Sequence, residues 1–413
     1  MDTQRPAHSR HESFVYVDDV AGLRNVVARL ADSDRFGLDT EFVGERTYLP
    51  QLELIQVANE HICAVIDCRA IGQLDAFFPL LADARVEKIL HAGQQDLDLF
   101  FLLTQAITEP TFDTQVAAAM VGYGAQPGYA PLVERVLGVT VEKTETLTDW
   151  TRRPLTAAQL AYAADDVRHL LPLHDHLRQR LRELDRSDWA REEFQRLERL
   201  AATGRLEPQD VYLRVRGRGS LRAKGLAVLR ELAAWREELA RERNKPRSSI
   251  MKDELMVELA RRAPTTPAAL RGIRALHSKE LERSADQLVG AVERALARPK
   301  SDWPESPKHT SASTPTGVIE LLQAVLRTRA EQAHIAPGLL ATTADLELLA
   351  TRHGSGDAAE LPILPILQGW RRTIAGDALL QFLDGRASIR FDPAKQRLRV
   401  DADRTGDIEP PAQ

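Results

Sequence analysis

A strand-like apolar run, Phe36-Gly37-Leu38-Asp39-Thr40-Glu41-Phe42, carries two carboxylates where core-forming strands are depleted in acid. Side chains two apart on a strand share a face, so Asp39 and Glu41 point the same way. Carboxylates set against an apolar core are costly unless a paired cation or a bound metal neutralises them. The fold must bring a counter-charge to this face, and a divalent metal site is the first hypothesis. Two further segments whose flanking pattern predicts burial supply more acid: Asp96 in His91-Ala92-Gly93-Gln94-Gln95-Asp96-Leu97 and Asp166 in Tyr162-Ala163-Ala164-Asp165-Asp166-Val167.

Local geometry allows these groups to converge. Residues 156–184 read as one long helix with Thr156 as its N-cap, on which Tyr162 and Asp166, four apart, lie on one face. Asp165 projects about 100° away from Asp166 and reads as solvent-facing. Asp96 opens a second helix, 96–103, where the positive end of the helix dipole favours a carboxylate. Taken singly, Asp96 fits a helix cap and Tyr162 fits a core aromatic. The Asp-x-Glu pair in an apolar strand is harder to explain that way, and the combination is more specific than any member.

Residues 14 to about 200 alternate strand-like segments (14–17, 35–42, 52–59, 61–67) with helical ones (20–31, 74–82, 96–103, 114–121, 131–137, 156–184), which predicts an α/β domain with a mixed sheet. The third and fourth strands form a hairpin turned at Asn59-Glu60. From residue 208 onward strand signals nearly vanish. A chain of 413 residues holds two or three domains. It contains no run of eighteen apolar residues, which excludes a spanning helix, and its polar first thirteen residues lack a signal-peptide core, so a cytoplasmic location is expected. Cys63 and Cys68 fit neither a disulfide framework nor a zinc site.

The net charge of −5 conceals an asymmetry: residues 208–299 hold 20 Lys and Arg against 12 Asp and Glu, and the rest of the chain holds 35 against 48. A basic middle segment on an acid-rich remainder fits a polyanion held by one region and processed by another, although charge alone fits a solvated helical surface equally. Downstream, a diverged repeat is visible. Trp235-Arg236, Pro246 and Glu254-Leu255 recur 91 positions later as Leu326-Arg327, Pro337 and Asp345-Leu346, and Leu270-Arg271-Gly272 recurs as Leu367-Gln368-Gly369 beyond an inserted loop at 354–365. The predicted units are thus 14–205, 208–298, a Ser/Pro/Thr-rich linker at 299–316, and 317–408, with a tail that has little to bury after Ile408.

On these residues the chain resembles the DEDD exonuclease superfamily. Asp39-Thr40-Glu41, the stretch from His91 to Leu97, and Tyr162-x-x-x-Asp166 are similar to its three motifs, in the subgroup with tyrosine in the third. The histidine subgroup would place His at the position of Ala161. Trp235-Arg236, Asn244-Lys245-Pro246-Arg247, Asp253-Glu254-Leu255 and Leu270-Arg271-Gly272-Ile273 are similar to the HRDC domain, and the whole layout resembles that of bacterial ribonuclease D. The second copy departs from the pattern, with Ile335-Ala336-Pro337 in place of Asn244-Lys245-Pro246.

The resemblance implies an RNase H-like exonuclease domain followed by two all-α HRDC-like domains, and 3′→5′ hydrolysis of RNA with tRNA precursors as the substrate class. Such chemistry uses two divalent ions about 4 Å apart, and oxygen ligands favour Mg²⁺ or Mn²⁺. Asp39 is expected to bridge both ions, Glu41 and Asp166 to complete one site, Asp96 to support the other, and Tyr162 to orient the attacking water. Arg214, Arg216, Arg218, Arg222, Lys224, Lys245 and Arg247 are the expected phosphate contacts, with Ser248, Ser249 and Lys252 as weaker ones. A monomer free of membrane is expected. The same motifs also suit a DNA 3′→5′ exonuclease, and a non-catalytic RNA-binding scaffold is the reading of another class.

Overall fold

The structure is a computed structural model that describes residues 14–402 except 45, 143–144, 146–147, 204–206, 274–283, 306–315 and 355–363. The polar N-terminal stretch, most of the predicted linker, most of the inserted loop and the tail beyond Ile408 lie outside the described residues.

The first unit is built on a six-stranded mixed sheet in the order β1-β4-β3-β2-β5-β6. Its strands are β1 (Val15–Val17), β2 (Arg35–Val43), β3 (Gln51–Ala58), β4 (Cys63–Asp67), β5 (Glu87–Leu90) and β6 (Thr111–Asp113). The predicted hairpin forms between β3 and β4, with Asn59 bonded through its backbone to Ile62 and its side-chain oxygen accepting from the amides of His61 and Ile62. Strands β5 and β6 were not legible as strands. Lys88 interrupts the apolar run of β5, and only the tertiary structure explains it: its buried ammonium donates to the carbonyls of Asp83, Val86 and Glu109.

Around the sheet lie α1 (Val20–Ala31), the short α2 (Cys68–Ile71) and α3 (Phe78–Leu81), α4 (Gln94–Thr104), α5 (Thr114–Met120), α6 (Tyr129–Leu137), α7 (Ala157–Arg168), α8 (Leu170–Glu183) and α9 (Ser187–Thr203). The helix predicted over 74–82 is reduced to the single turn α3. Strand β2 alternates as its sequence predicts. Phe36 and Leu38 enter the core shared with α1 and α4, while Gly37 faces α7 and α8. A Cβ on Gly37 would meet Leu170 at 3.1 Å and the Val167 carbonyl at 3.2 Å, so glycine here permits the α7–α8 junction to lie against the strand.

The predicted single helix over 156–184 is two helices, broken at His169. Pro172, third residue of α8, has no N–H to offer and its ring crowds the carbonyl one turn back. That proline was visible in the sequence as a breaker, set against the strong apolar periodicity on either side.

The basic region folds around helix α10 (Ala223–Glu242) with helices at Arg247–Ile250, Asp253–Arg262, Pro267–Arg271 and Ala285–Ala297 and a core of its own. The buried Arg236 ties α10 to the next long helix through Asp253 at 2.6 Å. The final region shows a similar succession, Thr316–Ala333, Pro337–Leu340, Thr343–Gly354 and Gly369–Arg371, and then departs from all-α expectation. It ends in an antiparallel hairpin, β7 (Ala387–Asp392) paired with β8 (Arg397–Ala402). Its core is continuous with that of the exonuclease unit: Leu322, Leu326, Leu349 and Trp370 belong to one cluster with Met120, Leu177 and Phe194.

Candidate active site

Strand β2 delivers Asp39 and Glu41 to one face, and α7 delivers Asp166 to the same spot; one carboxylate oxygen from each lies within 4.8 Å of the others. The register shifts between Glu41 and Phe42, a bulge that re-aims the strand at the site. Helix α7 is set by a capping box, in which Thr156 accepts from the Gln159 amide at 3.1 Å and the Gln159 side chain accepts from the Thr156 amide at 2.9 Å. Tyr162 lies one turn before Asp166, half-buried, with its ring 6.1 Å from that of Trp150. Asp165 turns aside to pair with Arg168 at 2.9 Å.

Asp96 comes from α4 and borders this cluster without joining it. Thr40, alternating away from Asp39, donates its hydroxyl to Asp96, which is buried. The α4 N-terminus that carries Asp96 is held by Asp113, whose carboxylate accepts from the Gly93 amide at 2.9 Å and caps α5 through Gln115 and Val116. Thr40 and Asp113 were missed as site residues. Asp113 had a readable signal, an Asp immediately before a helical run. Gln56, missed as well, stands directly across from Asp39 on β3; it is fully buried, and neither its amide nitrogen nor its oxygen has a hydrogen-bond partner among the described residues.

The charges that act most strongly on Asp39 are carboxylates. Burial, then the neighbouring carboxylates of Asp96, Asp166 and Glu41, hold Asp39 well above the usual carboxylate range. Burial with the same repulsion pushes Glu41 up to about 8, burial and Asp165 push Asp166 up to about 7, and burial pushes Asp96 up to about 6 against the Thr40 hydrogen bond. Converging oxygen donors that cannot ionise together, beside an unsatisfied buried amide, fit a hard divalent cation.

This repulsion gives stability a pH dependence. Near pH 4 an unfolded chain begins to release these protons, while the folded, cation-free cluster retains them up to the range of about 6 to 8. Cation-free stability therefore falls as pH rises through that window, and a bound divalent ion restores it. The rise in Tm on adding Mg²⁺ or Mn²⁺ to EDTA-treated protein is expected to be small at pH 5 and largest near pH 8. A metal-induced shift that does not change with pH would contradict a carboxylate-held cation.

The expected phosphate contacts fall into two groups. Arg214, Arg216, Arg218, Arg222 and Lys224 are exposed on the segment leading into α10 and its first turn, with the Arg216 amide fixed by Asp253 at 2.9 Å. Lys245 is exposed, as are Ser248, Ser249 and Lys252. Arg247 is committed elsewhere: its guanidinium grips Glu237 at 2.5 and 2.6 Å and lies over the Tyr48 ring at 4.8 Å. Tyr48, from the loop that follows β2, donates its hydroxyl to Glu237 at 2.5 Å and its amide to Asn244 at 3.2 Å. The basic unit is thereby tied to the loop leaving the strand that carries Asp39 and Glu41.

A 3′-5′ exonuclease family model matches residues 14–182 and an HRDC domain model matches residues 225–292. The ribonuclease D of Nitrobacter hamburgensis is 38% identical over 382 residues, covering 92% of this chain and 97% of that protein. That of Acidiphilium cryptum is also 38% identical, over 378 residues, covering 91% and 94%. The crystal structure of Escherichia coli RNase D, described as an exoribonuclease involved in structured RNA processing, superposes with a TM-score of 0.80 at 28% identity, over 90% of this chain and 99% of that one. With these relatives spanning nearly its whole length, and with carboxylates of the first and third motifs gathered at one site that the second motif's Asp96 borders, the chain belongs to the ribonuclease D family of 3′-5′ exoribonucleases.

Proposed function

We propose that this enzyme shortens structured RNAs from a free 3′ end, tRNA precursors foremost, releasing nucleoside 5′-monophosphates with the help of two divalent ions, Mg²⁺ or Mn²⁺. The observation that carries the reading is the meeting of Asp39, Glu41 and Asp166 within 4.8 Å, with Asp96 at their border. Two such ions, when bound, would activate water and offset charge on the leaving 3′ oxygen.

The protein's share is positional. Asp39 and Glu41 would hold the ions from the strand and Asp166 from α7, while Asp96, bonded by Thr40, would support them from α4. Tyr162, on the helix face of Asp166, orients the attacking water. Tyr162→Phe is expected to lower kcat by about 10²-fold, the scale of one positioned proton-handling group, with metal binding and RNA affinity retained. An unchanged rate would reduce Tyr162 to a packing residue beside Trp150.

The exposed Arg214, Arg216, Arg218, Arg222, Lys224 and Lys245 would hold phosphates, which fixes orientation without reading sequence. The final helical region reads as a second, diverged HRDC-like domain. Its supports are the repeat in sequence and the matching run of helices, Arg247–Ile250 and Asp253–Arg262 against Pro337–Leu340 and Thr343–Gly354. We place the enzyme in the cytoplasm as a monomer; no described helix is long and apolar enough to cross a membrane. The test is a 5′-labelled tRNA precursor with Mg²⁺. A ladder shortening from the 3′ end with 5′-monophosphates released is expected, and EDTA should stop it. Equal turnover of the matched DNA strand would favour the DNA exonuclease reading, and no metal-dependent turnover of either would favour the scaffold.

A further inference from the structure

We infer that Tyr129 is a positioning residue for the metal site: its hydroxyl is a wedge in the α7–α8 helix break that sets the aim of Asp166. The inference rests on the reading of Asp166 as a metal ligand.

The geometry is specific. An unbroken helix would join the Asp165 carbonyl directly to the His169 amide, four residues on. Here the Tyr129 hydroxyl stands between them, donating to the Asp165 carbonyl at 2.8 Å and accepting from the His169 amide at 3.2 Å. A side chain inserted into the helical ladder is a recognised cause of a sharp kink. Pro172 removes the donor that the Arg168 carbonyl would have had, and one turn earlier Tyr129 bonds the Asp165 carbonyl and the His169 amide. Asp166 is the residue next to the bridged carbonyl, so the direction of its side chain follows from where the break is held.

Two further contacts give the wedge a fixed base. Tyr129 is the first residue of α6, and the carbonyl of Pro127 just before it accepts from Gln115 at 3.2 Å and faces His91 Nε2 at 3.0 Å. Burial holds His91 below the ordinary imidazole range, so its single ring N–H belongs on Nε2, because a carbonyl can only accept. His91 Nδ1 lies 2.9 Å from the Thr114 hydroxyl, and its ring meets Tyr129 edge-on at 5.6 Å. On the far side, the break rests on Gly37, two residues before Asp39 on the same strand face, with Val167 and Leu170 against it. The wedge therefore connects the segment leading to Asp96 with the helix of Asp166, and sets that helix against the strand of Asp39.

The experiment compares Tyr129→Phe, which removes only the hydroxyl, with wild type and Asp166→Asn. Mn²⁺ binding is followed by calorimetry without RNA, RNA affinity in EDTA, and kcat and KM in Mg²⁺. Y129F is expected to bind Mn²⁺ about tenfold more weakly, the low end of the effect of losing an outer-shell support. Its kcat should fall at subsaturating Mg²⁺ and recover partly as Mg²⁺ is raised, with RNA affinity unchanged. A purely structural role would instead lower Tm and leave Mn²⁺ affinity alone. Unchanged Mn²⁺ affinity in Y129F, with affinity lost in D166N, overturns the wedge; unchanged affinity in both overturns the site reading beneath it. Should Y129F fail to fold, His91→Phe, which removes the shorter of the two hydrogen bonds to the Pro127 carbonyl, reads the same quantity, and wild-type Mn²⁺ affinity there overturns the inference.

Discussion

In the Asp39→Asn variant, RNA hydrolysis is expected to fall by about 10³-fold or more, equivalent to roughly 4 kcal/mol of transition-state stabilisation, while the protein stays folded and keeps its RNA affinity. Asn preserves the size of the side chain and removes only its charge. Asp39 is repelled by Asp96, Asp166 and Glu41 together, so losing that charge relieves the cation-free protein. Its Tm in EDTA at pH 8 should equal or exceed that of wild type. What the variant loses is the ability to gather cations, and the metal-induced rise in Tm should shrink with the activity. Turnover within tenfold of wild type in folded D39N would remove Asp39 from the site.

A second large effect concerns how the last helical region is attached. Arg371→Met is expected to destabilise the protein by about 3 kcal/mol. Arg371 is almost fully buried, donates to Glu193 of α9 and to the Leu339 carbonyl at 2.8 Å, and lies over Trp370, whose ring stacks on Trp189 at 5.4 Å. Removing the guanidinium strands the buried Glu193 with the half-exposed Arg196, 3.0 Å away, as its one remaining ion-pair partner among the described residues, and takes a donor from the Leu339 carbonyl. Urea unfolding measures the loss, and adding Glu193→Met should recover part of it, since the stranded charge is then gone. A loss below about 1 kcal/mol would mean that the charge pair is well solvated after all. The same interface includes Arg186, which donates to the Met120 carbonyl at 2.6 Å and to that of Ala333, and the Ala336 amide, which donates to the Ala119 carbonyl at 3.0 Å. Truncating the chain at residue 208 would bare an apolar face of the exonuclease unit, so point variants at Arg214 to Lys224 are the sounder probes of RNA binding.

Much of the candidate site was legible because its signals are local. Two acids in an apolar strand, a Tyr and an Asp one helical turn apart, and an Asp in the first turn of a helix each carry their meaning within about seven residues. Where local patterns conflicted, the reading failed. The apolar period across 156–184 outweighed Pro172, and the lysine in β5 hid a strand whose ammonium is satisfied by three carbonyls. The terminal hairpin did carry a local signal, since Ala387-Ser388-Ile389-Arg390-Phe391-Asp392 and Arg397-Leu398-Arg399-Val400-Asp401-Ala402 each alternate apolar and polar residues, but these strands of six residues were outweighed by the helical pattern before them.

The residue types of the site, their pairing on strand and helix, and the order of an exonuclease unit before a basic helical one were determined by the sequence alone, because periodicity and charge are properties of neighbouring residues. Only the tertiary structure decided that Asp96 stands at the border of the carboxylate cluster, that Arg247 is taken up by Glu237 and Tyr48, that Tyr129 fills the break beside Asp166, and that the last helical region shares the exonuclease core. Those are contacts between residues tens to hundreds of positions apart, such as Arg371 and Glu193, 178 residues from each other. Packing selects such partners after the elements have formed, so no local pattern announces them.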